Sequence, residues 1–151
     1  MLRILMMVLI SAVCTALASG NVTAADIQSK ATSANTAERH KLILQVTDND
    51  PAKWNLTLAN VRNVQSYLGA KNVDIEVVAY GPGINMIKLD SLVGAGVSDA
   101  IAAGARIVAC EITMTNQKLT KDDMLPSLRY VPAGVIELMA RQRQGYAYVR
   151  P

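Results

Sequence analysis

From Lys41 onward the apolar positions switch between two rhythms. Leu42-Ile43-Leu44-Gln45-Val46 is a short, mostly apolar run, closed by Thr47-Asp48-Asn49-Asp50-Pro51. A run of that length ended by turn residues reads as a buried strand. From Trp54 to Leu68 the apolar residues Leu56, Leu58, Val61, Val64 and Leu68 recur at helical spacing, and Gly69 follows as a stop. Val73 to Ala79 alternates and then becomes fully apolar, a second strand closed by Tyr80-Gly81-Pro82-Gly83. Ile84 to Leu89 predicts a helical turn, and Ser91 to Ala103 a small-residue helix ended by Gly104. Arg106 to Cys110 is a third strand, and Thr113-Met114-Thr115-Asn116 reads as a helix start behind it. Asp122 to Leu128 predicts a short helix or turn interrupted at Pro126, and Arg129-Tyr130-Val131 a brief fourth strand. Pro132, at the first helical position, opens a helix over Ala133 to Gln144 that Gly145 ends. Tyr146 to Arg150 alternates cleanly as a last strand.

Strands that alternate with helices predict an α/β fold, with a mostly parallel sheet of about five strands covered on both faces. The crossovers should be right-handed. The last strand belongs at an edge, because it alternates and runs into Pro151. The region ahead of the domain has a different pattern. Met1-Leu2-Arg3 carries one positive charge, Ile4 to Ala18 is apolar or small throughout, and Ala16-Leu17-Ala18 and Val22-Thr23-Ala24 are candidate cleavage sites. Residues 1–24 therefore read as a secretory signal peptide. An uncleaved anchor is the alternative, but a spanning helix needs about 20 apolar residues. Residues 25–40 are polar and unpatterned, a flexible leader before the domain at 41–151. The expected location is periplasmic, with no stable membrane anchor after cleavage.

Composition narrows the chemistry. The 151-residue chain carries 15 basic and 12 acidic side chains, a net charge of +3. Loss of Arg3 leaves 14 − 12 = +2, too little to argue for nucleic acid as a partner. The one histidine is His40, at the edge of the leader, so neither a Ser–His–Asp set nor paired Cys/His metal ligands can be assembled. No metal or cofactor is expected. Of the two cysteines, Cys14 falls inside the signal peptide, leaving Cys110 as the one thiol of the mature chain. A single exported thiol pairs between chains, is buried, or is used. At the C-terminal end of a strand, facing a helix start, it has N–H groups and a helix dipole to favour the thiolate.

In an open parallel sheet, ligands bind beyond the C-terminal strand ends. Thr47-Asp48-Asn49, Tyr80-Gly81-Pro82-Gly83 and Cys110 all end there. Cys110 is thus the candidate catalytic residue, and Asp48, Asn49, Tyr80, Gly81, Pro82 and Gly83 the candidate substrate-binding set. Each also has a plainer reading. Asp48 and Asn49 are common turn and capping residues, Gly-Pro-Gly is a common turn, and a lone cysteine often packs as a small hydrophobe.

Val78-Ala79-Tyr80-Gly81-Pro82-Gly83-Ile84 with Met86, Ala109-Cys110 with Thr113-Met114, and Val131-Pro132-Ala133-Gly134-Val135 with Glu137-Leu138 together resemble the DsrE/DsrF-like family, in its exported single-domain branch. The resemblance covers about Lys41 to Pro151, and it adds Thr113 to the candidate substrate-binding set. It implies a three-layer α/β/α sandwich that assembles as a trimer or hexamer. It also implies a sulfur carrier, with Cys110 holding sulfane sulfur as a persulfide and passing it to a thiol-bearing acceptor protein. The alternative is a non-catalytic small-molecule-binding or assembly module in which Cys110 packs. A third reading is a redox sensor in which Cys110 pairs between subunits.

Overall fold

A computed structural model describes residues 39–151, and all that follows concerns these. The expected signal peptide and nearly all of the leader lie outside the described residues. The chain forms β1 (His40–Val46), α1 (Pro51–Leu68), β2 (Val73–Ala79), α2 (Gly94–Ala102), β3 (Arg106–Cys110), α3 (Glu111–Asn116), β4 (Arg129–Val131), α4 (Gly134–Arg143) and β5 (Ala147–Val149), with short 3₁₀ turns between. The strands make one sheet in the order β4-β3-β2-β1-β5, and every pair is parallel. The last strand is at an edge, as its alternation predicts.

That order explains the layers. The chain steps from β1 to β4 in one direction across the sheet and then returns to the far edge for β5. With right-handed crossovers, the outward steps lay their helices on one face and the return lays α4 on the other. The larger core joins Trp54, Leu58 and Val61 of α1, Val97 and Ala100 of α2, and Met114 of α3 to one face of the sheet. The smaller core joins Leu138 of α4 to Ile43, Val78, Val108 and Tyr146 on the opposite face. Side chains alternate between faces along a strand, so Cys110, in step with Val108, belongs to the α4 face.

Most element ends follow from local chemistry. The helix predicted from Trp54 begins earlier, at Pro51, because the Asp50 carboxylate accepts from the Ala52 N–H at 2.8 Å and proline suits the first helical position. Its buried stripe is Trp54, Thr57, Leu58 and Val61, whereas Leu56, expected on the apolar face, is exposed. Gly69, at φ +85°, ends it and donates its N–H to the Gln65 carbonyl. At α4 the expectation needs correction. Pro132 precedes the cap residue Ala133 instead of opening the helix, and Gly134 is the first helical residue. That shift of two positions matters, because Gly134 brings an N–H with no intrahelical partner to the end of β3.

Candidate functional site

Cys110 is the last residue of β3 and also the cap residue of α3. Two helix starts therefore meet at one sulfur. The Gly134 N–H at the head of α4 donates to Cys110 Sγ at 3.3 Å. Thr113 and the N–H of Ile112, at the head of α3, lie close enough to favour its anion, although Cys110 makes no side-chain cap hydrogen bond to that helix. The Ile112 N–H donates to the Pro132 carbonyl at 3.1 Å, which ties the β4–α4 connection to the head of α3. The residue is only 4% exposed. Burial pushes the thiol up, but Thr113 and the N–H groups of Gly134 and Ile112 outweigh it, and Cys110 lies below its ordinary value.

The Gly81–Gly83 turn supports this arrangement from behind. The Gly81 N–H donates to Thr113 Oγ1 at 3.0 Å, so the hydroxyl oxygen is occupied as an acceptor and its proton is free for the sulfur. Gln117 Nε2 holds the Gly81 carbonyl at 3.2 Å. Gly81 has φ +54°, a conformation glycine adopts without strain. Gly83 is buried against the end of β1, where a Cβ would collide with the backbone of Val46 and Thr47. Tyr80 is half-buried beside Gly134, and a Cβ on Gly134 would lie 3.0 Å from its ring. Glycine at residue 134 is therefore what allows α4 to start this close to the sheet. Burial, with Tyr148 nearby, raises the Tyr80 phenol above its ordinary value.

The structure brings Cys110, Thr113, Gly81 and Tyr80 together, but separates Asp48 and Asn49 from them. Asp48 makes ion pairs with Lys53 at 3.2 Å and Arg150 at 3.3 Å, and its carbonyl takes the Trp54 indole N–H at 2.8 Å. Asn49 accepts from Asn85 Nδ2 at 3.1 Å and lines a separate 370 Å³ hollow with Trp54 and Ser91. Both serve the turn after β1. Pro82 is exposed and shapes its turn without touching the thiol's donors. A 300 Å³ groove on α3 is lined by Glu111, Ile112, Thr115, Asn116 and Pro132, the residues that follow Cys110 and Val131 in the chain among them. Ile112 and Pro132 belong both to this groove and to the hydrogen-bonded joint around Cys110. Among the described residues, no group of three His, Cys, Asp or Glu side chains is placed to hold a metal ion.

Comparison with known proteins decides the family. The DsrE/DsrF-like family matches residues 40–151. The chain belongs to this family. The DsrE/DsrF-like fold is shared with MTH1491 from Methanobacterium thermoautotrophicum, a protein of unknown function, at a TM-score of 0.71 and 34% identity over 74% of this chain and 99% of that one. BT1422 from Bacteroides thetaiotaomicron, a conserved protein of unknown function, superposes with a TM-score of 0.64 at 15% identity, over 77% of this chain and 98% of that one. No curated protein matches this chain. DsrE/DsrF-like proteins are associated in general with sulfur relay.

Sequence reading missed two parts of the neighbourhood. Gly134 was part of the family resemblance but not of the candidate site, because only the strand order reveals that α4 starts against β3. The second is a buried charge cluster on the α4 face. Glu76, 0% exposed, accepts from Arg106 Nε at 2.8 Å, and Arg141 lies at 3.0 Å. Arg106 also pairs with Asp74, whose other oxygen accepts from Tyr146 at 2.6 Å. The pairing appears only in the structure, where Glu76 and Arg106 are opposite one another on neighbouring parallel strands.

Proposed function

We propose that this DsrE/DsrF-like chain is a sulfur carrier that binds sulfane sulfur as a persulfide on Cys110. The reading rests on one observation: the thiol sits where the starts of α3 and α4 converge and accepts the Gly134 N–H at 3.3 Å. The Cys110 thiolate attacks the outer sulfur of a persulfide R–S–SH entering through the groove beside Ile112 and Pro132. A new Cys110–sulfur bond forms, the S–S bond of the donor persulfide breaks, and R–S⁻ leaves with the bonding pair. The same donors then stabilise the terminal sulfur anion of the Cys110 persulfide. An acceptor thiolate reverses the step by taking the outer sulfur, and the Cys110 thiolate leaves. The sulfur passes between thiols with no net oxidation, so no redox cofactor is required.

The proposal extends to context. The chain is exported to the periplasm through residues 1–24, works as a homo-oligomer (trimer or hexamer), and passes its sulfur to a thiol-bearing acceptor protein. A second reading has its own support. Cys110 is only 4% exposed, while Ile112, Val135, Ile136 and Met139 near it are exposed apolar residues. On that reading, the protein is a small-molecule-binding or assembly module and Cys110 is packing. Mass spectrometry after incubation with polysulfide separates the two. A carrier gains about 32 Da, removable by reductant, and Cys110→Ser does not. A wild-type chain that gains no sulfur and resists alkylation supports the second reading.

A further inference from the structure

The charge cluster around Glu76 lies on the same face of the sheet as Cys110 and under the same helix. Three residues of α4 bear on the sheet: Gly134, Leu138 and Arg141. They are spaced i, i+4 and i+7 and form one stripe of the helix. The first meets Cys110 Sγ and the Tyr80 ring, the second enters the smaller apolar core, and the third meets Glu76. Leu138 is a non-directional contact and permits the helix to slide or roll. The Arg141 contact is directional: its Nε donates to Glu76 Oε1 at 3.1 Å, its terminal nitrogen lies 3.0 Å from Oε2, and Glu137 and Gln144 brace it at 2.7 and 3.2 Å. Two-point guanidinium–carboxylate pairing fixes orientation as well as distance. Arg141 is seven residues from Gly134, about 10 Å along a stiff helix. A shift at one end is therefore carried to the other.

We infer that Glu76 is a positioning residue for Cys110: by holding Arg141 on the sheet, it sets the seat of α4 and thus the place of the Gly134 N–H against Sγ. The inference rests on the reading of Cys110 as a reactive thiolate. A buried carboxylate bound by two arginines is a poor way to gain stability, since an apolar group of similar volume usually does as well. It is a good way to fix one helix position among several that the small Leu138 core allows. Arg106 is fixed in turn by Asp74 and Tyr146, so Glu76 is anchored to the strands on one side and grips the helix on the other.

The test uses the full chain carrying Cys14→Ser, so that Cys110 is the one thiol, and follows thiolate absorbance against pH. Glu76→Gln keeps the shape and removes the charged grip. The inference predicts a thiol pKa higher by about half to one unit, with a cooperative melt retained. Simple electrostatics predicts the opposite sign, because loss of a nearby anion favours the thiolate. Arg141→Met, which leaves Glu76 paired with Arg106, should raise the thiol similarly, and the rise should persist in high salt, where a through-space charge effect is screened. Arg141→Lys should recover part of it. The Gly134 amide resonance should move as the parent's thiol ionises, and move less in both Glu76→Gln and Arg141→Met. Folded variants whose thiol titrates with the parent, or below it, overturn the inference and leave the carrier reading standing. A parent whose thiol titrates at or above the ordinary value overturns both. If Glu76→Gln does not fold, Arg141→Met decides alone.

Discussion

Thr113→Val isolates the side-chain part of the thiol's environment. The substitution keeps the shape and removes the hydroxyl that links Gly81 to Cys110. A hydrogen bond to a charged group contributes about 1.5–3 kcal/mol, and one pKa unit is 1.36 kcal/mol. The backbone donors from Thr113, Gly134 and Ile112 remain, so the lower end applies, and the Cys110 pKa should rise by about one unit. Alkylation is a blunter readout. One unit reduces the thiolate fraction about tenfold below the pKa, but a more basic thiolate is about threefold more nucleophilic, leaving a net slowing of about threefold. Ultraviolet titration of the thiolate is therefore the assay, with Thr113→Ser as the variant that restores the wild-type value. A Thr113→Val thiol within about 0.3 unit of wild type would refute the assignment of Thr113 as a donor to the sulfur. Stability gives an independent check. Cys110 is lower in the folded than in the unfolded chain, so the unfolded chain binds more protons between the two values, and stability rises with pH across that window. The contribution is complete above the unfolded value and is lost as pH falls through the folded one. Cys110→Ser should abolish this rise, and Thr113→Val should narrow it.

Other variants test the supports. Gly83→Ala places a methyl group against the Val46 backbone, which cannot yield as a side chain can, and should cost about 2–3 kcal/mol in chemical denaturation. Leu138→Ala empties the centre of the smaller core, with an expected loss of about 2–5 kcal/mol; a melt unchanged from wild type would remove α4 as a structural element of that face. For Asp74, burial raises the carboxyl, but hydrogen bonds from Tyr146 and Arg106 outweigh it and hold it below the ordinary range. Its stabilisation is therefore present above the ordinary carboxylate value and lost as pH falls through the folded one. Asp74→Asn should flatten that acid limb of the stability curve, and an unchanged limb would contradict the pairing.

The strands were legible because their ends are marked by residues with a single local meaning. Val73–Ala79, Arg106–Cys110 and Arg129–Val131 agree with the apolar runs residue for residue. The edge position of β5 followed from its alternation, and the layered fold from the order of elements. Strand order was not legible, since it is set by which crossover packs where, and it alone brings α4 over Cys110. Leu56 misled for a related reason: the buried stripe of α1 is fixed by the cap at Asp50 and the contact of Trp54, not by counting apolar residues. In the site, the place of Cys110 at a strand end could be read from the sequence, whereas Thr113 entered with the family resemblance. Glu76 could not, because a carboxylate among valines reveals its burial only when two arginines distant in sequence are seen to meet it.

The central claim is that Cys110 accepts sulfur and gives it up again. The most direct measurement loads the protein from polysulfide, removes the donor by gel filtration, and then adds a small thiol while sulfane sulfur is assayed by cyanolysis on both partners. The account predicts about one labile sulfur per chain, absent from Cys110→Ser, that moves to the added thiol as Cys110 returns to its free form. Sulfur that loads equally on Cys110→Ser, or that never leaves Cys110 for the thiol, would contradict it.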